Sequence, residues 1–114
     1  MKKIEAIIRL YKLDEVLHSL YDLGLKGHSV SETRGYGRQK GHEEVYRGTK
    51  HMINYWSKWR IEVVCNDEMV DKAVKAIIAS ARTGEIGDGK VFVFDVEQSY
   101  RIRTGETGIE AVKL

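Results

Sequence analysis

The sequence predicts an α+β fold in which two tandem β-α-β units build a four-stranded antiparallel sheet with both helices on one face. Three observations lead there. Short apolar runs recur near the beginning, middle and end of the chain, amphipathic stripes of helical period separate them, and 114 residues provide for one domain, 1–114. Strand, helix, strand, given twice in a short chain, is the order of the ferredoxin-like arrangement.

Each element follows from its pattern. Lys3 to Arg9 carries Ile4, Ala6 and Ile8 on one parity and Ile7 on the other, which suits a strand covered on much of both faces. From Asp14 the period changes: Val16, Leu17, Leu20 and Leu23 form a helical stripe that stops at Gly24, a residue suited to a left-handed C-cap. Ser29 to Thr33 reads as a weaker strand entering Gly35-Tyr36-Gly37. Trp59, Ile61, Val63 and Val64 mark a third strand. Asn66 or Asp67 is placed to cap a second helix bearing Met69, Val70, Ala73, Val74, Ile77, Ile78 and Ala81, ended by Thr83-Gly84. Val91 to Val96 is apolar at nearly every position and predicts a strand buried on both faces. Two helices cover one sheet face only, whereas Ile4, Ile7, Ile61, Val64, Val91, Phe92, Val93 and Phe94 supply apolar side chains to both. Leaving the second face in water would forfeit several kcal/mol at about 25 cal/mol per Å². The expected remedy is oligomerisation through the sheet; the alternative is a tail from Gln98 folded across it.

Composition narrows the function. With 42% apolar and 32% charged residues of both signs the chain can fold, and a formal charge of +2 gives no general attraction to a polyanion or an acidic membrane. A single cysteine, Cys65, forms no intramolecular disulfide and reads as a small buried hydrophobe. The charged start "MKKIEAIIRL" is unlike a secretory segment, and no apolar run reaches the roughly 18 residues a membrane span needs, so a cytoplasmic setting is expected, with membrane contact only through a partner.

Proline is absent, so the glycine clusters are informative. Tyr36 to Tyr55 has no clean period and is longer than a hairpin connection requires, which marks a functional segment ordered by a ligand or partner. It is preceded and opened by Gly35-Tyr36-Gly37-Arg38-Gln39-Lys40-Gly41, where close backbone approach and two cations suit a phosphate. Neither a P-loop nor a dinucleotide fingerprint is present. Thr83-Gly84-Glu85-Ile86-Gly87-Asp88-Gly89-Lys90 has more glycine than a helix end requires. Arg101-Ile102-Arg103, read as extended, would set two guanidiniums on one face to grip successive phosphates. Each cluster alone fits a solvated turn; the three together in a near-neutral chain point to a nucleotide polyphosphate.

These segments, "MKKIEAIIRLYKLDEV", "GYGRQKGHEEVYRG" and "ARTGEIGDGKVFVFDVEQSYRIRTGE", resemble those of the PII nitrogen-signalling proteins, over nearly the whole chain. The resemblance implies a homotrimer with sheets facing inward and a T-loop at about 36–55. It also implies a glycine-rich B-loop at about 82–90 and a basic C-terminal segment at about 101–105. ATP or ADP would bind between subunits, and 2-oxoglutarate beside Mg-ATP. By matching position, Gly35, Gly37, Arg38, Gly87, Asp88, Gly89 and Lys90, with Arg101 and Arg103 of a neighbouring subunit, would line the phosphate site. Ile7, Ser29, Val64 and Thr83 would hold base and ribose, Ser29 keeping the hydroxyl of a commoner threonine. Gln39 would ligate Mg²⁺ through its amide oxygen, a hard donor for a hard ion. Gln39, Lys40, Gly41, Lys58 and Gly87 would bind 2-oxoglutarate; taken alone, Lys58 between Trp56 and Trp59 reads as a snorkelling surface lysine. Tyr46, Arg47, Thr49 and His51 would meet partners. His51 stands where many relatives carry a uridylylated tyrosine, and Thr49 where some carry a phosphorylated serine; Lys50, Trp56 and Ser57 also depart from the common pattern.

The expected function is a non-enzymatic sensor, at most an incidental ATPase. Its effectors bias the T-loop toward or away from an ammonium transporter, a nitrogen-metabolism enzyme or a transcription regulator. The competing reading is an ATPase or phosphotransferase with His42 or His51 as acceptor and Glu43, Glu44 or Asp88 as acid or base. Single-stranded RNA binding is disfavoured by balanced charge and by a sheet without an aromatic RNA-binding motif.

Overall fold

The computed structural model describes residues 1–35 and 56–113, together with the backbone of the paired segments His42–Tyr46 and Thr49–Ile53. The first strand, β1 (Lys2–Arg9), alternates strictly: Ile4, Ala6 and Ile8 are buried, while Lys3, Glu5 and Ile7 face the other way and are half-buried. A single turn of 3₁₀ helix, Leu10–Lys12, leads into α1 (Leu13–Asp22), which points Val16 and Leu20 into the core. Its end is a Schellman motif. The N–H of Gly24 donates to the Tyr21 carbonyl at 2.8 Å and that of Leu25 to the Leu20 carbonyl at 3.0 Å, with Gly24 at φ 85°.

Strand β2 (Ser29–Gly35) is followed by β3 (His42–Tyr46), β4 (Thr49–Ile53) and β5 (Trp56–Cys65). The reading of Tyr36–Tyr55 as one irregular stretch is corrected here: β3 and β4 pair antiparallel, from His42 opposite Ile53 to Tyr46 opposite Thr49. Ladder pairing satisfies backbone groups whatever the side-chain period, so hydropathy gave no sign of it. A second 3₁₀ turn, Asp67–Met69, precedes α2 (Val70–Ala81). Neither candidate side chain caps this helix. The Asn66 carbonyl accepts the Met69 N–H at 3.0 Å, and the Asp67 carboxylate instead takes the amino terminus at 2.6 Å.

The last strand is β6 (Lys90–Asp95), and the sheet order is β2-β5-β1-β6 with every neighbour antiparallel. That places β6 at an edge, so the expectation of a doubly buried strand fails: Phe92, Val93 and Phe94 are 45%, 46% and 44% exposed. Ile4, Ile61, Val91 and Val93 share the helix-covered face, where Ile4, Ile8, Val16, Leu20, Ile61 and Ile77 are the largest fully buried side chains. The open face is more polar than expected. Ile7, Val64, Phe92 and Phe94 are interleaved there with Lys3–Glu62 at 3.6 Å and Arg60–Glu5 at 2.8 Å, and the Lys3 ammonium lies 5.0 Å from the Phe94 ring centroid. Glu5 and Glu62 are direct cross-strand partners, so these cations offset a like-charge opposition.

The Val96 N–H donates to the Met1 carbonyl at 3.1 Å, and the chain then doubles back on itself, with Tyr100 bridging Thr107 and the Gly108 N–H donating to the Ser99 carbonyl at 3.0 Å. A final turn of helix, α3 (Ile109–Val112), lies near β5. No helix among the described residues is long and apolar enough to cross a membrane. Because Leu20 is fully buried between helix and sheet, Leu20→Ala is expected to cost about 2–5 kcal/mol, read as a lowered midpoint in urea denaturation with little change in slope.

Candidate functional site

Antiparallel pairing on both sides of β1 gathers the ends of three strands. Arg9 lies opposite Lys58, and Ile7 lies opposite Lys90 on its other side. The 83–90 turn closes over this end of the sheet. Gly87 and Gly89 adopt φ 107° and 98°, values that favour glycine, and a Cβ on Gly89 would lie 1.7 Å from the Ile7 carbonyl oxygen. The turn therefore sits directly on the β1 backbone.

The Asp88 carboxylate organises the turn from inside. Its Oδ2 accepts the N–H groups of Thr83 and Gly84, each at 2.8 Å, and its Oδ1 accepts the Thr83 hydroxyl at 2.5 Å and Arg9 Nε at 3.0 Å. Burial opposes the charge, but these hydrogen bonds outweigh it and hold the carboxyl well below the usual carboxylate range. Such a group is ionised and fully occupied at neutral pH, so it is unfit for the acid–base role the enzyme reading offered it. Arg9 also donates from Nη2 to the Ile86 carbonyl at 2.9 Å.

Lys58 does not snorkel. It is 7% exposed, its Nζ donates to the Gly87 carbonyl at 2.5 Å, and its Cγ lies 3.8 Å from where a Cβ on Gly35 would be. Burial first, then the Arg9 charge, lowers its pKa against the opposing pull of Asp88. The result is an ammonium and a guanidinium secured to three consecutive residues, 86–88, beside a glycine-rich backbone. Chemically this is a cradle for an anion.

The structure thus brings together Ile7, Gly35, Lys58, Thr83, Gly87, Asp88, Gly89 and Lys90. It sets other candidates apart. Val64 pairs with Lys3, four residues along β1 from Ile7 and so roughly 13 Å away, and Ser29 pairs with Glu62 on the outer strand. Arg101 and Arg103 belong to the tail, which departs from the Met1 end of the sheet, opposite the cradle. Nor are they on an extended segment. The Gly105 N–H closes a turn onto the Arg101 carbonyl at 2.7 Å, with Gly105 at φ 75°; Arg103 lies exposed in that turn, and Arg101 donates to the carbonyls of Glu110, at 3.1 Å, and Lys113. Gly37, Arg38, Gln39, Lys40, Gly41 and Arg47 lie outside the described residues. So do the side chains of His42, Glu43, Glu44, Tyr46, Thr49 and His51, of which only strand position is described. Among the described residues no group of three or more His, Cys, Asp or Glu could hold a metal ion.

Sequence reasoning missed Arg9. Its signal was parity: a cation two residues after Ile7, on the same face at the strand end, opposite a turn that ends in Gly-Asp-Gly-Lys.

Gly89→Ala is expected to displace the turn from β1 and abolish the Lys58–Gly87 contact, visible as increased amide exchange across 83–90. A second outcome concerns acid. Because the folded Asp88 carboxyl lies below its unfolded value, its contribution to stability is complete above about pH 4 and drains away only as pH falls from there toward the depressed folded value. The urea stability gap between the wild-type chain and Asp88→Asn should accordingly be flat from neutrality to about pH 5 and narrow below about pH 4.

A family model described as "Nitrogen regulatory protein P-II" matches residues 1–106. Proteins of that name from Pasteurella multocida (strain Pm70) and Rhodobacter capsulatus are 54% and 56% identical over 112 residues, covering 98% of this chain and 100% of theirs. Among solved structures, Arabidopsis thaliana PII bound to citrate superposes with a TM-score of 0.80 at 35% identity, covering 99% of this chain and 90% of that one. With its four-stranded antiparallel sheet, its two long helices and its glycine-rich turn seated on the first strand, the chain belongs to the nitrogen regulatory protein P-II family.

Proposed function

We propose that this chain is a sensor of nitrogen, carbon and energy status that binds ATP or ADP and, with Mg-ATP, 2-oxoglutarate. It would regulate partner proteins through the conformation of residues 36–55 and catalyse no reaction of its own. One observation carries the reading: buried Lys58, joined to Gly87 and packed at Gly35, stands at the point where residues 36–55 leave the sheet. A ligand anion held there touches both the 83–90 turn and the root of the excursion, so its binding energy can differ between two conformations of that excursion.

The ligand chemistry follows from the donors. The glycines of the 83–90 turn and Lys90 suit phosphates, and Lys58 suits a carboxylate. The Arabidopsis relative's bound citrate is a polycarboxylate, which agrees with a cationic site made for such acids. Mg²⁺ would be held by Gln39 and by ligand oxygens, with Lys40, Gly41 and Gly87 beside 2-oxoglutarate. Gly37 and Arg38 would extend the phosphate site. Tyr46, Arg47, Thr49 and His51 would face partners, among them an ammonium transporter, a nitrogen-metabolism enzyme or a transcription regulator, in the cytoplasm.

We assign the single domain to residues 1–114 and the working assembly to a homotrimer. Exposed Phe92 and Phe94 on the open face favour burial against another copy, and Arg101 and Arg103 are too far from their own cradle to serve it. A neighbouring copy could bring them, along with Ser29 and Val64, to the same ligand.

Calorimetric titration with Mg-ATP, alone and then with 2-oxoglutarate, tests the reading. The expected result is ATP binding near one site per chain and 2-oxoglutarate binding only when Mg-ATP is present, the latter lost in Gln39→Ala. Absence of ATP binding would reject the sensor, and ATP binding without 2-oxoglutarate would reduce it to a reporter of adenylate state.

A further inference from the structure

We infer that Asp88 is a positioning residue, which with Arg9 holds the 83–90 turn in its anion-binding shape before any ligand arrives. The inference rests on the ligand reading above and deepens it by placing Asp88 inside the turn, where it acts through its neighbours.

A carboxylate offers about four lone-pair sites. Asp88 has four donors: the Thr83 N–H, the Gly84 N–H, the Thr83 hydroxyl and Arg9 Nε. With its oxygens so engaged, the charge is committed to Thr83, Gly84 and Arg9. Arg9 carries the constraint across a sequence separation of 79 residues, since one guanidinium grips both Asp88 and the Ile86 carbonyl and is itself fixed at the end of β1. Lys58 then holds the Gly87 carbonyl between those two anchors.

The consequence is energetic. Gly87 and Gly89 stand at φ 107° and 98°, and glycine loses more backbone freedom on ordering than any other residue. A turn ordered only by its ligand would subtract that entropy from the binding free energy; a turn already held by Asp88 and Arg9 would not. Charge balance points the same way. Arg9, Lys58 and Lys90 lie at one end of the sheet, and Asp88 offsets the repulsion that would spread them.

The test uses the full chain and compares wild type, Asp88→Asn, Arg9→Gln and the double variant. Asparagine keeps the shape of aspartate but cannot accept on both side-chain atoms. Affinity is measured for Mg-ATP and for inorganic tripolyphosphate, and amide exchange is followed across 83–90 without ligand. Asp88→Asn is expected to weaken both ligands by about tenfold or more. Ligand-free exchange should rise in 83–90 while α2 and the rest of β1 stay at wild-type levels, and the double variant should lose clearly less than the sum of the two single losses. Undiminished affinity would overturn the inference, as would weaker binding with unchanged ligand-free exchange or additive losses in the double variant. If Asp88→Asn does not fold, Arg9→Lys supplies the same exchange and affinity comparison with the carboxylate intact, since a lysine cannot span Asp88 and Ile86 together. If wild type binds neither probe, the ligand reading fails, and the exchange comparison alone decides whether Asp88 and Arg9 order the turn.

Discussion

Strand β1 is paired along both edges, and most of what the molecule can do depends on that placement. A strand with two antiparallel neighbours aligns their residues in rows, so its C-terminal end brings together Arg9, Lys58 and Lys90 from segments far apart in sequence. Three cations in one corner repel one another. The repulsion is contained by Asp88 and by the carbonyls of Ile86 and Gly87, all supplied by a turn that approaches β1 closely only because residue 89 has no side chain. The cationic corner is therefore the remainder of a local electrostatic balance and stands or falls with the contact between Gly89 and Ile7.

The same sheet separates functions by its length. At the far end of β1, Lys2 pairs with Asp95 at 2.5 Å, the amino terminus meets Asp67, and the tail turns back on itself. Eight strand residues place that end roughly 23 Å from the cradle. Basic residues anchored there cannot share a ligand with the cradle of their own chain. In an assembly of copies, those at the far end of one chain could instead meet the cradle of another, as the proposed trimer requires.

The sequence made the sheet and helices legible because burial imposes period: Ile4, Ala6 and Ile8 on a strand, Val16 and Leu20 on a helix, and Gly24 as a stop. It was less informative where burial does not act. The run Val91–Phe94 looks the same on a central strand as on an edge strand, since hydropathy does not encode neighbours. The β3–β4 pairing rests on backbone groups and left no periodic trace. At the site, glycine spacing and Lys90 were readable, and so was Lys58 through family resemblance. Arg9 was not, because its role arises from a turn 77 residues further along the chain whose Ile86 carbonyl accepts from its guanidinium. The bonds of the Asp88 carboxylate to Thr83, Gly84 and Arg9 were not legible, since sequence does not tell whether a loop carboxylate points inward or outward.

Gly35 and Trp56 are direct partners in the β2–β5 ladder, so the chain departs from the sheet and returns to it at adjacent positions. The two ends of the intervening segment are thus joined by the fold itself, whatever lies between them. Closing a longer loop between fixed ends adds only about 0.6 kcal/mol per doubling of length. Residues 36–55 are in this sense an interchangeable module: their length and composition can diverge, or be redesigned, with little penalty to the domain, while any new segment inherits the same position beside Lys58.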